Sequence, residues 1–132
     1  MKILSKLTLL SLLLCFPIQV LNANPQLVEP VEWQFHINYQ EEGEAELVFK
    51  ADIDEGWHVY AMDKIEGEGP IPTSFTIEDG AGYELLGDVE PKKEPVTKLD
   101  QTFEKELSYF ENQAVFIQKV SFSDPSASIK GT

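Results

Sequence analysis

The chain has 132 residues, of which 42% are apolar, 25% charged and 11% aromatic, the balance of one soluble globular domain rather than a disordered chain. Ten Lys and no Arg face 23 acidic residues, giving a formal charge of −13. That sign excludes the phosphate neutralisation on which nucleic-acid binding rests. The single cysteine, Cys15, allows neither an internal disulfide framework nor a cysteine-based metal site.

Residues 1–23 read as a secretory signal. Lys2 and Lys6 form a positive start, and Leu7 to Cys15 is apolar apart from Thr8 and Ser11. Pro17, Gln19 and Asn22 interrupt the run before it reaches the ~20 residues a membrane helix needs, and Ala23 offers a small residue for cleavage. Leu14 ahead of Cys15 argues against lipid attachment. The expected product, 24–132, is exported and periplasmic; it has about 110 residues, enough for one core, and is two charges more negative than the whole chain.

The exported part reads as strands throughout. Trp33, Phe35, Ile37 and Tyr39 alternate with Gln34, His36 and Asn38, the period of a half-buried strand. Ala45, Leu47, Phe49, Ala51 and Ile53 repeat the pattern, and Glu42-Gly43 between the two runs predicts an antiparallel hairpin. The apolar residues Trp33, Phe35, Ile37, Leu47, Phe49 and Ile53 are expected to share one buried core. Further short runs follow at Trp57–Ala61, Ser74–Glu78, Tyr83–Val89, Glu104–Phe110, Val115–Phe122 and Ser126–Gly131, with turn residues between them. This predicts an all-β, immunoglobulin-like antiparallel sandwich of two sheets, with a closed barrel as the alternative. Met62 to Pro72 and Pro91 to Thr102 are the longest irregular segments, and loops of that length are more often functional than idle.

Few residues carry chemistry. Asp52-Ile53-Asp54-Glu55-Gly56 is reminiscent of a calcium loop, but Gly56 stands at the third acidic position and Asp63 where a bidentate Glu belongs. The segment reads as a polar turn. His36 and His58 are distant in sequence, and His36 falls on a polar strand face, so no metal or cofactor site is assigned. Nucleophile, phosphate-loop and zinc-protease motifs are absent from the sequence. Alternation places Trp57, Val59 and Ala61 on one strand face and His58, Tyr60 and Met62 on the other. Phe103, among polar Gln101, Thr102 and Glu104, is a candidate exposed aromatic.

Three strings, Asp54-Glu55-Gly56-Trp57-His58-Val59-Tyr60, Gly69-Pro70-Ile71-Pro72-Thr73-Ser74-Phe75 and Gly82-Tyr83-Glu84-Leu85-Leu86-Gly87, resemble the N-terminal periplasmic domain of the thiol:disulfide interchange protein DsbD, the disulfide bond corrector family. The resemblance runs from Val31 to the end of the chain and implies an immunoglobulin-like sandwich. It further implies a protein-disulfide reductase domain that relays reducing equivalents from a membrane-embedded reductase to periplasmic thioredoxin-like or disulfide-isomerase partners. In that family two cysteines on a last hairpin carry the exchange beneath an aromatic cap loop. By the same resemblance His58 and Tyr60 stand beside the pair, Gln101, Thr102 and Phe103 lie on the cap loop, and Asp100 is the neighbouring acidic group. The sequence departs from the family in lacking both cysteines, reaching Thr132 in the strand expected to lead into that hairpin. The expected domain is therefore incomplete at its C-terminus and inactive as it stands. Two other readings remain: a secreted immunoglobulin-like binding module, and a metal-dependent enzyme using His58 with nearby acids.

Overall fold

A computed structural model describes residues 27–132; the leader read at 1–23, with Cys15, lies outside them. Seven strands are present: β1 (Val31–Tyr39), β2 (Glu44–Ile53), β3 (Val59–Tyr60), β4 (Tyr83–Pro91), β5 (Val96–Asp100), β6 (Lys105–Phe110) and β7 (Gln113–Phe122). They form an all-β sandwich of two antiparallel sheets, one ordered β1-β2-β7-β4 and the other β3-β6-β5. A short 3₁₀ turn, Glu41–Gly43, joins β1 to β2.

The β1–β2 hairpin forms as its alternation requires. Its register is unbroken from Val31 opposite Ile53 to Tyr39 opposite Ala45. The turn places Glu42 at φ 60° and Gly43 at φ 81°, left-handed backbone that Gly accepts freely and Glu only at a cost.

The core is organised around β7 rather than β1. Phe116 and Val120 on β7 are fully enclosed, because β7 lies between β2 and β4 and the other layer covers it. Two clusters result where one was expected. Ala51, Ile53, Val59, Ala61, Phe110, Ala114 and Phe116 form the first beneath the smaller sheet, and Ala45, Leu47 and Val120 form the second. Gln118 falls between Phe116 and Val120 on the same face of β7 and is 2% exposed. Its amide donates to the carbonyls of Leu86, Gly87 and Lys119, so the polar group dividing the clusters is satisfied.

Of the six residues expected in the core, Leu47 and Ile53 are buried, and Trp33 and Phe49 pack half-buried against the clusters. Phe35 and Ile37 are instead 65% and 40% exposed. The cause is topological: β1 is the outer strand of a four-stranded sheet faced by only three strands, so its far half extends past the cover.

Two runs expected as strands, Ser74–Glu78 and Ser126–Gly131, meet only at one antiparallel bridge between Ile77 and Gly131. Thr76 and Thr132 exchange backbone hydrogen bonds there, and the Glu78 N–H donates to Lys130. Ile77 and Ile129 cover the second cluster in place of a sheet. Within the segment read as a loop from Pro91 to Thr102, Val96–Asp100 is a strand paired with β6.

Candidate functional site

The outer face of β3-β6-β5 gathers the chemistry-bearing side chains. A turn at Asp54–Trp57, closed by the Trp57 N–H on the Asp54 carbonyl and with Gly56 at φ 83°, delivers the chain into β3. Asp52, just before it, is engaged by Lys50 at 2.7 Å and by Gln34 and Gln113. The Lys50 hydrogen bond, then that of Gln113, hold its carboxyl below the usual range.

Beyond the turn, alternation separates the residues as expected with two exceptions, Trp57 and Met62, the latter packing against the first core cluster instead of joining His58 and Tyr60. Val59 and Ala61 are buried, and His58 and Tyr60 share the opposite side. Trp57 is 51% exposed because it still belongs to the turn and not to the strand.

His58 packs edge-on against Tyr60, with ring centroids 4.7 Å apart, and against Tyr109 of β6 at 4.8 Å. Tyr60 and Tyr109 are direct cross-strand partners. Lys98 of β5 sits 5.4 Å from the Tyr109 ring centroid and 3.7 Å from the Glu111 carboxylate. Burial, then the Asp100 carboxylate and Tyr109, push the Tyr60 phenol above its ordinary value. Tyr60 therefore remains a hydrogen-bond donor across the physiological range.

The remaining candidates make up the β5–β6 turn. The Asp100 carboxylate accepts from the backbone N–H groups of Thr102 and Phe103, at 2.8 and 3.0 Å, a local turn that fixes the hairpin tip. Gln101 and Thr102 are exposed and Phe103 is half-buried. Among the described residues no ring pair joins Phe103 to His58 or Tyr60.

The tip is tied to the other long loop: the Lys105 ammonium donates to the carbonyls of Glu66 and Glu68, at 2.8 and 2.6 Å. At the loop's far end Thr73 donates its hydroxyl to the Tyr60 carbonyl. The segments Met62 to Pro72 and Asp100 to Lys105 thus flank one patch. Tyr109 and Lys98 belong to it and escape sequence reading, since their place depends on β5, whose alternation is masked by the preceding Pro and Lys residues.

A second feature lies on the opposite side of β3's layer. An open groove of about 330 Å³ runs between Phe35, Ile37, Leu47 and Phe49 of the larger sheet and the Phe75–Ile77 and Ile129–Thr132 segments. Its floor is aromatic, with Phe49 stacked on Phe75 at 4.5 Å and edge-on to Phe35 at 5.8 Å. Among the described residues no three His, Cys, Asp or Glu side chains cluster as a metal site would require. Comparison of the chain with protein-family models, curated proteins and solved structures finds no match.

Proposed function

We propose that this chain is the immunoglobulin-like scaffold of an exported thiol:disulfide interchange domain of the DsbD N-terminal type, whose exchanging cysteines lie on a hairpin following Thr132. The open groove is the observation that carries the reading. It is apolar and bordered by the short ladder between Thr76 and Thr132, which sets Ile129–Thr132 at its rim. A hairpin laid over it would cover Phe35 and Ile37, whose exposed apolar surface otherwise stays in water at a cost of ~25 cal/mol per Å².

In this reading the aromatic floor of the groove and the Phe75–Ile77 segment at its rim shield the dithiol from adventitious oxidants in an oxidising compartment. The partners are thioredoxin-like or disulfide-isomerase proteins on one side and a membrane-embedded reductase on the other.

The test is the gene downstream of Thr132 and the thiol content of its product. Two cysteines within about 10–20 residues, one or two strand lengths, are expected, titrating as two thiols only after reduction. A coding sequence that stops at Thr132, or a continuation with no reversible pair, overturns the relay and leaves a secreted binding module.

A further inference from the structure

The four sheet edges of the described residues differ in how they guard against pairing with another chain. β3 is only two residues long. β5 spans five residues and carries Lys98 and Asp100. β4 has Gly87, Asp88 and Pro91 and is broken by a register shift between Leu86 and Glu90. Short length, charge, Pro and bulges are the devices by which sheet edges avoid association. β1 has only one charge, Glu32, and neither Pro nor bulge: its nine residues run in unbroken register.

The backbone of β1 shows which groups are free. Asp54 donates its N–H to Pro30, and Gln40 donates to Glu44, so in this antiparallel ladder the even-numbered residues of β1 turn their N–H and C=O groups toward β2. Val31, Trp33, Phe35, Ile37 and Tyr39 turn theirs outward, where no described residue meets them. Tyr39 is 69% exposed and, like Phe35 and Ile37, stands on the apolar face of this edge.

We propose that β1 pairs antiparallel with β1 of a second copy about a two-fold axis at Phe35, joining two four-stranded sheets into one of eight strands. The register follows from the free groups. Phe35 faces Phe35, Trp33 faces Ile37 and Val31 faces Tyr39, and each of these pairs consists of residues with outward N–H and C=O, so every one forms a double hydrogen bond. On the polar face Glu32 comes opposite Asn38 and Gln34 opposite His36. Within the paired strands no like charges meet; just past their ends Glu41 comes opposite Glu29 of the other copy, and each chain carries a net charge of −13, so the pairing is opposed by repulsion at low salt. The pairing is isologous and closes after two copies. It does not depend on the relay reading, because a hairpin in the groove would cover the face of β1 and leave its edge open.

The test is sedimentation equilibrium of the full chain and of two double variants on the exposed polar face. Gln34→Lys with His36→Lys places lysine against lysine twice across the axis, and Gln34→Lys with His36→Glu places lysine against glutamate twice. The first should weaken dimerisation about tenfold relative to the unchanged chain, and the second should restore or tighten it, as opposed cross-strand charges do. Both should keep the unchanged chain's circular dichroism. The dimer of the unchanged chain should tighten with added salt as repulsion between the acidic copies is screened. A chain that stays monomeric at high concentration and high salt overturns the proposal. So does association that responds equally to both variants, which would place the contact on another surface.

Discussion

The amide of Gln118 on β7 donates to the carbonyl of Gly87 on β4 at 3.1 Å, and to that of its neighbour Leu86 at 3.2 Å. These carbonyls sit where the β4–β7 register shifts, so their usual ladder partners are missing. Gly87 holds φ 72° at the bulge, and Gln118 replaces the lost ladder bonds from inside the core. Replacing it with Met keeps the volume but strands buried acceptors, which costs about 1–3 kcal/mol. Urea denaturation should show the midpoint fall with an unchanged slope, while Lys119→Ala on the exposed side changes it by less than about 0.5 kcal/mol.

Core burial separates Phe116 from Phe35. Phe116→Ala empties a fully enclosed site and should cost about 3–5 kcal/mol. Phe35→Ala removes a ring already two-thirds in water, and its cost should stay near 1 kcal/mol or below. Thermal melts of the two variants at low protein concentration check the ordering; equal losses would place β1 inside the core after all.

Tyr60 should titrate above the ordinary tyrosine value of 10.0, readable from phenolate absorbance. Its folded value is raised, so the stabilisation it brings is fully present below pH ~10 and is lost as pH climbs through the folded value. Asp100→Asn should bring the titration part of the way down. Burial, the larger cause, keeps it above normal.

Lys105 joins two loops through the carbonyls of Glu66 and Glu68. Lys105→Met should accelerate limited proteolysis within 62–72 several-fold while leaving the global melting temperature within a few degrees, since the bonds are exposed and opening there is local. No change in cleavage would mean that the loop is held by its own contacts.

The alternation of Trp33 to Tyr39 and Ala45 to Ile53 made the hairpin and the sandwich legible, because period-two patterning records which face is buried. It does not record which strand is outermost, and so Phe35 and Ile37 looked like core. β5 was hidden for a different reason. Val96 and Leu99 are exposed, and a strand at the edge of a thin sheet needs little apolar patterning to form. Among the candidate site residues, His58 and Tyr60 could be placed on one face from sequence, and the Asp100 charge helps to raise the Tyr60 phenol in the fold. Tyr109 and Lys98 join them only through the β5–β6 pairing, a long-range fact with no local signature.

The central position of β7 also orders events during synthesis. β1 and β2 can pair as soon as Ile53 is made, yet β2 receives its second neighbour only when Gln113–Phe122, the last strand of the described chain, emerges. Until then the hairpin shows water two open edges and an uncovered apolar face, including the residues that Phe116 and Val120 later enclose. Closing so distant a pairing is slow relative to local contacts, and the interval is when such a chain most needs protection from aggregation.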